Sequence, residues 1–470
     1  EAQRTRRGIL ILNATIQMGA ELCDKVVLLR AGQAVACGAP DDLRAVYRFT
    51  RAAAQHFKGR IQAWEIWNEP DIFFWHELAD RYAALARAAA AGLRAGDPAA
   101  LVLNGSLCSG VTPFARGVTD AGVLEACDRF NWHLYKPPAE YPRELAAYRA
   151  LATRAGAPVL PAWMTEAGIR LRGTEGEGNR LLDRAGLAAQ CRFVAPSVVM
   201  SLAAGNERHF FFVLPDYLEN GIQFGALRPD LTPHPAFLAL SAAANVLGEG
   251  DYLGRLPVAG AEAHLFRTPR GRVLVAWADH ETELAVPVDG AAATVADVFG
   301  ATREVRATGG AVRLTAGPDA VYVLNAGKAA ERGLTGRTAV PPPRRARPAP
   351  SPVVVAPRAE LPFNKDANAY RLAGPFDYAV EAVNLGAETA RGTVELALPA
   401  GWSATPARFP FALAALGREE FRARDTLGAR SLDTRRIGAG AGGATVFSDF
   451  QEDDAAWRVA IRSVQSETNP

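Results

Sequence analysis

The chain has 470 residues, 49% of them hydrophobic and 22% charged, with 52 Lys plus Arg against 50 Asp plus Glu. This composition is neither disordered nor membrane-like and leaves room for roughly two to four domains with at least one large core. A net charge of +2 gives no reason to expect nucleic acid or an anionic membrane as partner, and small neutral ligands fit better.

Between residues 8 and 245, short β-rich runs alternate with Ala- and Leu-rich helical stretches, the pattern of an α/β fold with parallel strands. Seven runs read as strands: GILIL from Gly8, VVLLR from Val26, AWEIW from Ala63, LVLNG from Leu101, FNWHLY from Phe130, AWMTE from Ala162 and HFFFVL from His209. Eight such strands would close a (β/α)8 TIM barrel. In DDLRAVYRFTRAAAQHF, Asp41 or Asp42 can cap a helix on which Leu43, Val46, Tyr47, Thr50 and Phe57 follow the helical period. ELADRYAALARAAAAGLRAG places Leu78, Tyr82, Leu85 and Leu93 on a similar stripe, with Gly96 as the stop.

After the helical HPAFLALSAAANVLG, the text changes to short alternating segments with frequent Gly. The expected organisation is a barrel over residues 1–248 and a β-sandwich over 249–327 packing on it. A Pro/Arg-rich linker over 328–357 follows, then a second small β-sandwich over 358–424, a possible carbohydrate-binding module, and a Gly-rich tail or truncated β domain over 425–470. The four arginines around the prolines read as a solvated linker rather than a polyanion patch. The five cysteines, Cys23, Cys37, Cys108, Cys127 and Cys191, are irregularly spaced and suggest neither a disulfide framework nor a CxxC metal site. No apolar run is expected to span a membrane, and no signal peptide is visible.

Two carboxylates stand at the C-terminal ends of expected parallel strands, Glu69 after AWEIWN and Glu166 after PAWMT. In a (β/α)8 barrel that end of each strand carries the active site. Cleavage of a glycosidic bond needs such a pair, one to protonate the leaving oxygen and one to attack or to activate water. The 97 residues between them leave room for about three βα units, which fits strands four and seven. Glu65, two alternations earlier, reads as structural.

WNEP followed by TEAG resembles the retaining glycoside hydrolases of clan A, and HFKGRIQAWEIWNEPD with PAWMTEAGIR looks most like family 39 and its relatives. The resemblance covers residues 57–247 and implies that Glu69 is the general acid/base and Glu166 the nucleophile. It also implies that Asn68 bonds the sugar 2-hydroxyl, that His133 lines the pocket and that Tyr135 bonds the nucleophile. A retaining mechanism asks for carboxyl groups about 5 to 5.5 Å apart. Trp64, Trp67, Trp163 and Phe211 lie in or beside these strands, where each is either a sugar-facing wall or core packing. Asp71, Asp216, Tyr217 and Glu219 fall on loops that can contact sugar.

HFFFVL lacks the Trp that many relatives carry at the end of the eighth strand, so Phe212 or Tyr217 would substitute. Only two candidate strands precede AWEIW, so the barrel is expected to be absent or remodelled at its first strand. ELCDKVVLLRAGQAVACGAPDDL resembles the closing segment of ABC transporter ATPases, but no P-loop accompanies it. No HExxH and no GxSxG occurs either. The resulting expectation is a retaining β-glycosidase that takes a carbohydrate and needs no metal or organic cofactor. It would be secreted or periplasmic, with any leader outside this chain. The alternative is a non-catalytic carbohydrate-binding or structural protein on a degenerate barrel. Sugar, linkage, endo or exo action and oligomeric state are not legible.

Overall fold

In the computed structural model, residues 42–336, 340–342, 351–358, 360–371, 376–398 and 401–424 are described in full. Residues 8–11, 26–30, 33–38, 425–426, 445–452 and 455–465 are described by their backbone. The GAGAGG run and the arginines of RRARPAP lie outside the described residues, as does Asp41. The chain forms two compact units: Glu1–Asn131 with Ala147–Leu160 and Pro342–Pro470, and Trp132–Ala146 with Pro161–Pro341.

In the first unit, the strands Gly8–Ile11, Ile61–Ile66 and Leu101–Asn104 form a parallel sheet in that order. A further parallel bridge joins Leu103 to Arg129. Trp64, Ile66, Val102 and Leu103 are buried, the continuous apolar text of a sheet covered on both faces. The run VVLLR, counted on sequence among the parallel strands, instead forms Val26–Arg30 and pairs antiparallel with Gln33–Gly38. A two-residue connection permits only an antiparallel return, because a parallel one needs a long crossover. Asp42, not a neighbour, caps the helix Leu43–His56, its Oδ1 accepting from the Arg44 N–H at 3.0 Å.

That helix and the Ala-rich helix Ala79–Gly96 bury Leu43, Tyr47, Ala84 and Ala88 together with Val354, Ala356, Val383 and Leu385 from the C-terminal part of the chain. Val353–Pro357, placed on sequence at the end of the linker, is a fully buried strand, as its β-branched VVV run favours. It opens a four-stranded sheet, Val353–Pro357, Phe376–Asn384, Arg418–Thr426 and Ser403–Thr405. A six-stranded sheet combines Phe363–Asn364, Ala369–Arg371, Thr445–Glu452, Ala455–Gln465, Ala390–Ala397 and Arg408–Leu413, so both tail strands pair within it. Between the sheets lies a core of Val355, Tyr378, Val380, Val394, Phe409 and Phe421, which Leu78 enters from the chain segment before the helix Ala79–Gly96.

In the second unit, Phe130–Leu134, whose residues from Trp132 onward belong to it, heads a three-stranded sheet with Ala162–Ala167 and Asn206–Phe211, the last two of which pair in parallel. Six of the seven runs read as strands therefore lie in these two three-stranded sheets, with parallel pairing throughout the first and between the last two strands of the second. The chain is α/β, and no closed barrel is formed among the described residues. Eight antiparallel strands between Asp251–Arg255 and Val321–Val323 form one six-stranded and one two-stranded sheet, with Leu265, Leu274, Leu284, Val295 and Leu314 in a shared core. The helix Arg184–Ala203 corrects one expectation: by length and composition it is apolar enough to cross a membrane. Within this unit its Ala195 and Val199 pack on Phe266, Val275 and Tyr322, and its Cys191 and Val194 pack on Ala239 and Ala243, which accounts for its apolar text.

Candidate active site

The turn that follows Ile61–Ile66 is strained. Trp67 has φ 74° and Glu69 has φ 43°, a left-handed backbone that few non-glycine residues adopt, and Pro70 restricts Glu69 further. Such conformations cost about 1–3 kcal/mol each and persist only where the surroundings over-determine them. Here the surroundings are polar and buried. The Glu69 N–H donates to Ser106 Oγ at 3.2 Å, the Ser106 hydroxyl donates to Asn68 Oδ1 at 3.2 Å, and the Ser106 N–H donates to Glu65 Oε1 at 3.3 Å. Ser106 is fully buried and Glu65 nearly so. Glu65 thus serves the turn as a buried acceptor.

Tyr82, on the helix Ala79–Gly96, joins the two strand ends beneath this turn. Its hydroxyl donates to the Ile66 carbonyl at 3.0 Å and accepts from the Gly105 N–H at 2.7 Å. Gly105 has no alternative there, since a Cβ would stand 2.5 Å from the Ile66 carbonyl oxygen and 2.7 Å from the Tyr82 hydroxyl. Tyr82→Phe is expected to cost about 1–3 kcal/mol, because it strands a buried donor and a buried acceptor at once. Denaturant unfolding checks this, and an unchanged midpoint would contradict the bridging role.

Asp71 does not present a free carboxylate. Its oxygens accept from the Cys108 N–H at 3.0 Å and the Ser109 N–H at 2.8 Å. Burial raises the Asp71 carboxyl above its ordinary range against the opposing pull of these N–H groups. Burial, with the charges of Asp71 and Glu69, also drives the Cys108 thiol far up, which disfavours its thiolate form. Among the described residues, Cys108, Cys127 and Cys191 stand outside any disulfide.

In the second unit, Glu166 stands near the end of Ala162–Ala167 with its side chain 18% exposed. The Tyr135 hydroxyl donates to its Oε1. His133 Nδ1 lies 3.6 Å from its Oε2, while His133 Nε2 is 3.0 Å from the Thr165 hydroxyl. The tautomer of His133 that carries its hydrogen on Nδ1 can donate to the carboxylate while Nε2 accepts from the Thr165 hydroxyl. Tyr135 is itself held by aromatic rings. Its centroid lies 6.2 Å from Phe212 and 5.5 Å from Phe224, and the Tyr217 ring lies 5.4 Å from Phe212. The Arg170 guanidinium lies 5.1 Å from the Tyr135 centroid. Burial, with the nearby Glu219 and Glu166 charges, raises the Tyr217 hydroxyl, so it stays protonated as a donor. Gly168 of the TEAG motif sits where a Cβ would stand 2.7 Å from the Phe212 carbonyl oxygen and 3.0 Å from the Tyr135 ring.

Of the residues singled out on sequence, Trp67, Asn68 and Glu69 thus stand together in the first unit, and His133, Tyr135 and Glu166 together in the second, with Tyr217 in the adjoining aromatic cluster. Trp163 is 5% exposed, and its indole N–H is taken up by Glu207 at 2.9 Å. Trp67 is 6% exposed and donates to the Phe74 carbonyl at 3.0 Å. Asp216 accepts from Arg180 at 2.6 Å and Gln223 at 2.8 Å. Sequence reasoning missed Ser106, Thr165 and Phe224. The first two carried a usable signal, a small hydroxyl residue just past an apolar strand run and another beside the TEAG glutamate.

No protein-family model and no curated protein matches the chain. Solved structures to which it is similar include a family 39 glycoside hydrolase from the gut symbiont Bacteroides cellulosilyticus WH2, at 18% identity over 60% of this chain and 62% of that one, TM-score 0.48. Others are a GH30 endoxylanase from Clostridium papyrosolvens C71, at 12% identity over 64% and 76%, TM-score 0.46, and a GH39 β-xylosidase from Caulobacter crescentus, at 16% over 59% and 71%, TM-score 0.43. All three are glycoside hydrolases. Two of them carry the family number of the motif resemblance and the third is a GH30 enzyme, and the chain spans about three fifths of the length of the first of them. At this degree of likeness no residue role is carried across from them.

Proposed function

We propose that this chain is a glycoside hydrolase that cleaves a β-glycosidic bond in a poly- or oligosaccharide by a retaining double displacement. The observation that carries this reading is the setting of Glu166, a carboxylate at a parallel strand end that accepts from Tyr135 and faces His133. Donors aimed at its oxygens orient the carboxylate and stabilise negative charge on it, as a nucleophile requires. In the proposed sequence Glu69 protonates the glycosidic oxygen while Glu166 attacks the anomeric carbon, and the alcohol departs. Water then attacks the glycosyl-enzyme ester with Glu69 as base, and the freed Glu166 carboxylate is restored. Asn68 is the proposed partner of the sugar 2-hydroxyl, with His133, Tyr135, Trp67, Trp163 and Tyr217 as further sugar contacts. The reaction needs no metal or organic cofactor, and a secreted or periplasmic setting belongs to the same proposal.

The absence of a closed barrel among the described residues favours a second reading, a carbohydrate-binding protein without turnover. A panel of aryl β-xylosides, β-glucosides and α-L-arabinofuranosides separates the two. Turnover with retained anomeric configuration, followed by NMR, is the expected result. Sugar binding with no turnover on any member would replace the first reading by the second.

A further inference from the structure

The segment that leads from Glu69 into the helix Ala79–Gly96 carries ties of its own, among them the Trp75 indole N–H donating to the Leu78 carbonyl at 3.1 Å and Asp71 accepting from the Cys108 and Ser109 N–H groups. The Ile72 N–H returns to the Glu69 carbonyl at 3.2 Å, the Trp75 N–H reaches the Ile72 carbonyl at 3.5 Å, and the Trp67 indole holds Phe74. The helix start lacks a local cap, because Leu78 occupies the capping position and offers no side-chain acceptor.

A turn almost three hundred residues downstream supplies what is missing. The Lys365 ammonium donates to the carbonyls of both Ile72 and Trp75. Asn368 Oδ1 accepts from the Ala79 N–H at 2.8 Å, across 289 residues of sequence, and so caps the helix. Lys365 and Asn368 flank one tight turn between the strands Phe363–Asn364 and Ala369–Arg371, closed by the Asn368 N–H to the Lys365 carbonyl at 3.0 Å. Asn368 has φ 52°, which Asn tolerates better than most residues. Leu78, buried in the core between the C-terminal sheets, anchors the segment between these two grips. Burial lowers the Lys365 ammonium from its ordinary range, against the pull of Asp71, as fits an ammonium committed to carbonyls rather than to water.

We propose that Lys365, aided by Asn368, is a positioning residue for the Glu69 general acid, and that the C-terminal β region is thereby part of the hydrolytic machinery. This rests on the reading of Glu69 as acid. Lys365 bonds carbonyls three and six positions beyond Glu69, and the Ile72 N–H ties that span back to the Glu69 carbonyl. Charge-assisted bonds of this kind are the strong ones, and they fix the turn from its far side.

The test compares the full chain with Lys365→Met and Lys365→Arg on two aryl glycosides of the sugar that the wild type accepts. A dinitrophenyl leaving group departs without a proton, whereas a phenyl leaving group needs the acid. For Lys365→Met, kcat/KM on the phenyl glycoside is expected to fall about 10-fold or more, as small misplacements of a reacting group cost, with the dinitrophenyl value within about 2-fold of wild type. Amide exchange in residues 72–79 should quicken, and Lys365→Arg should recover most of the phenyl activity. An equal fall on both substrates, or no fall on either, overturns the positioning role while leaving the proposed function intact. If Lys365→Met does not fold, Lys365→Gln takes its place under the same criteria. A wild type inert on every glycoside removes the proposed function, and this role of Lys365 with it.

Discussion

Glu166→Ala is expected to lower turnover of any accepted glycoside by on the order of 10^4-fold or more, because it deletes the atom that forms the covalent intermediate. The fold should tolerate the change. Glu166 is only partly covered, and its strand is held by pairing with Asn206–Phe211 and by the buried Met164 and Ala167. The sharper form is Glu166→Gly with added azide. The vacated space admits a small anion, whose nitrogen forms a bond to the anomeric carbon as the bond to the leaving oxygen breaks, with the proton for that oxygen supplied by Glu69. One displacement replaces two, so the product is a glycosyl azide of inverted configuration. Normal turnover by Glu166→Ala would remove the nucleophile role, and an azide product of retained configuration would remove the double displacement.

Glu69→Gln should lower the rate on glycosides with poor leaving groups by about 10^2- to 10^4-fold, the usual contribution of a positioned acid. A dinitrophenyl glycoside should still form the glycosyl-enzyme at a near-normal rate. That intermediate then lacks a base to activate water, so a burst of dinitrophenol should precede a slow steady state. The alkaline limb of kcat/KM should also vanish. The acid must be protonated to act, so in the wild type the rate falls as pH rises through its pKa, and Gln has no proton to lose. A uniform loss across leaving groups, with no burst, would place Glu69 in binding rather than proton transfer. Glutamine keeps the volume of Glu69 in its strained turn, which makes this substitution a cleaner probe than alanine.

Much of this was legible because it is local. The apolar runs at Ala63, Leu101, Phe130, Ala162 and His209 form strands, since alternation of short apolar runs with amphipathic stretches sets element type within a window of a dozen residues. Asp42 caps its helix by a bond two residues long. The pairing partner of VVLLR was less legible, because the choice between a hairpin and a parallel crossover depends on which strand follows, and Gln33–Gly38 begins after only two residues. The buried strand Val353–Pro357 was obscured by the prolines and arginines before it. Its burial follows from helices far away in sequence, which cover it with Tyr47, Ala84 and Ala88.

The candidate site divides in the same way. The residue types at Glu69, His133, Tyr135 and Glu166 stand in the sequence, each beside an apolar run that makes it a strand end. What Ser106, Tyr82 and Thr165 do for them was not readable, because hydrogen bonds between groups 16 to 41 residues apart, most of them pairing a side chain with a backbone group, depend on folding to bring those groups together. Lys365 and Asn368 lie at the limit of this rule. Nothing near either residue points to a turn almost three hundred positions upstream. The sequence by itself determined the elements and the chemistry available at their ends, since those follow from local patterning. Only the tertiary structure decided which groups hold the Glu69 turn in its strained backbone, because that support comes from parts of the chain that folding alone brings together.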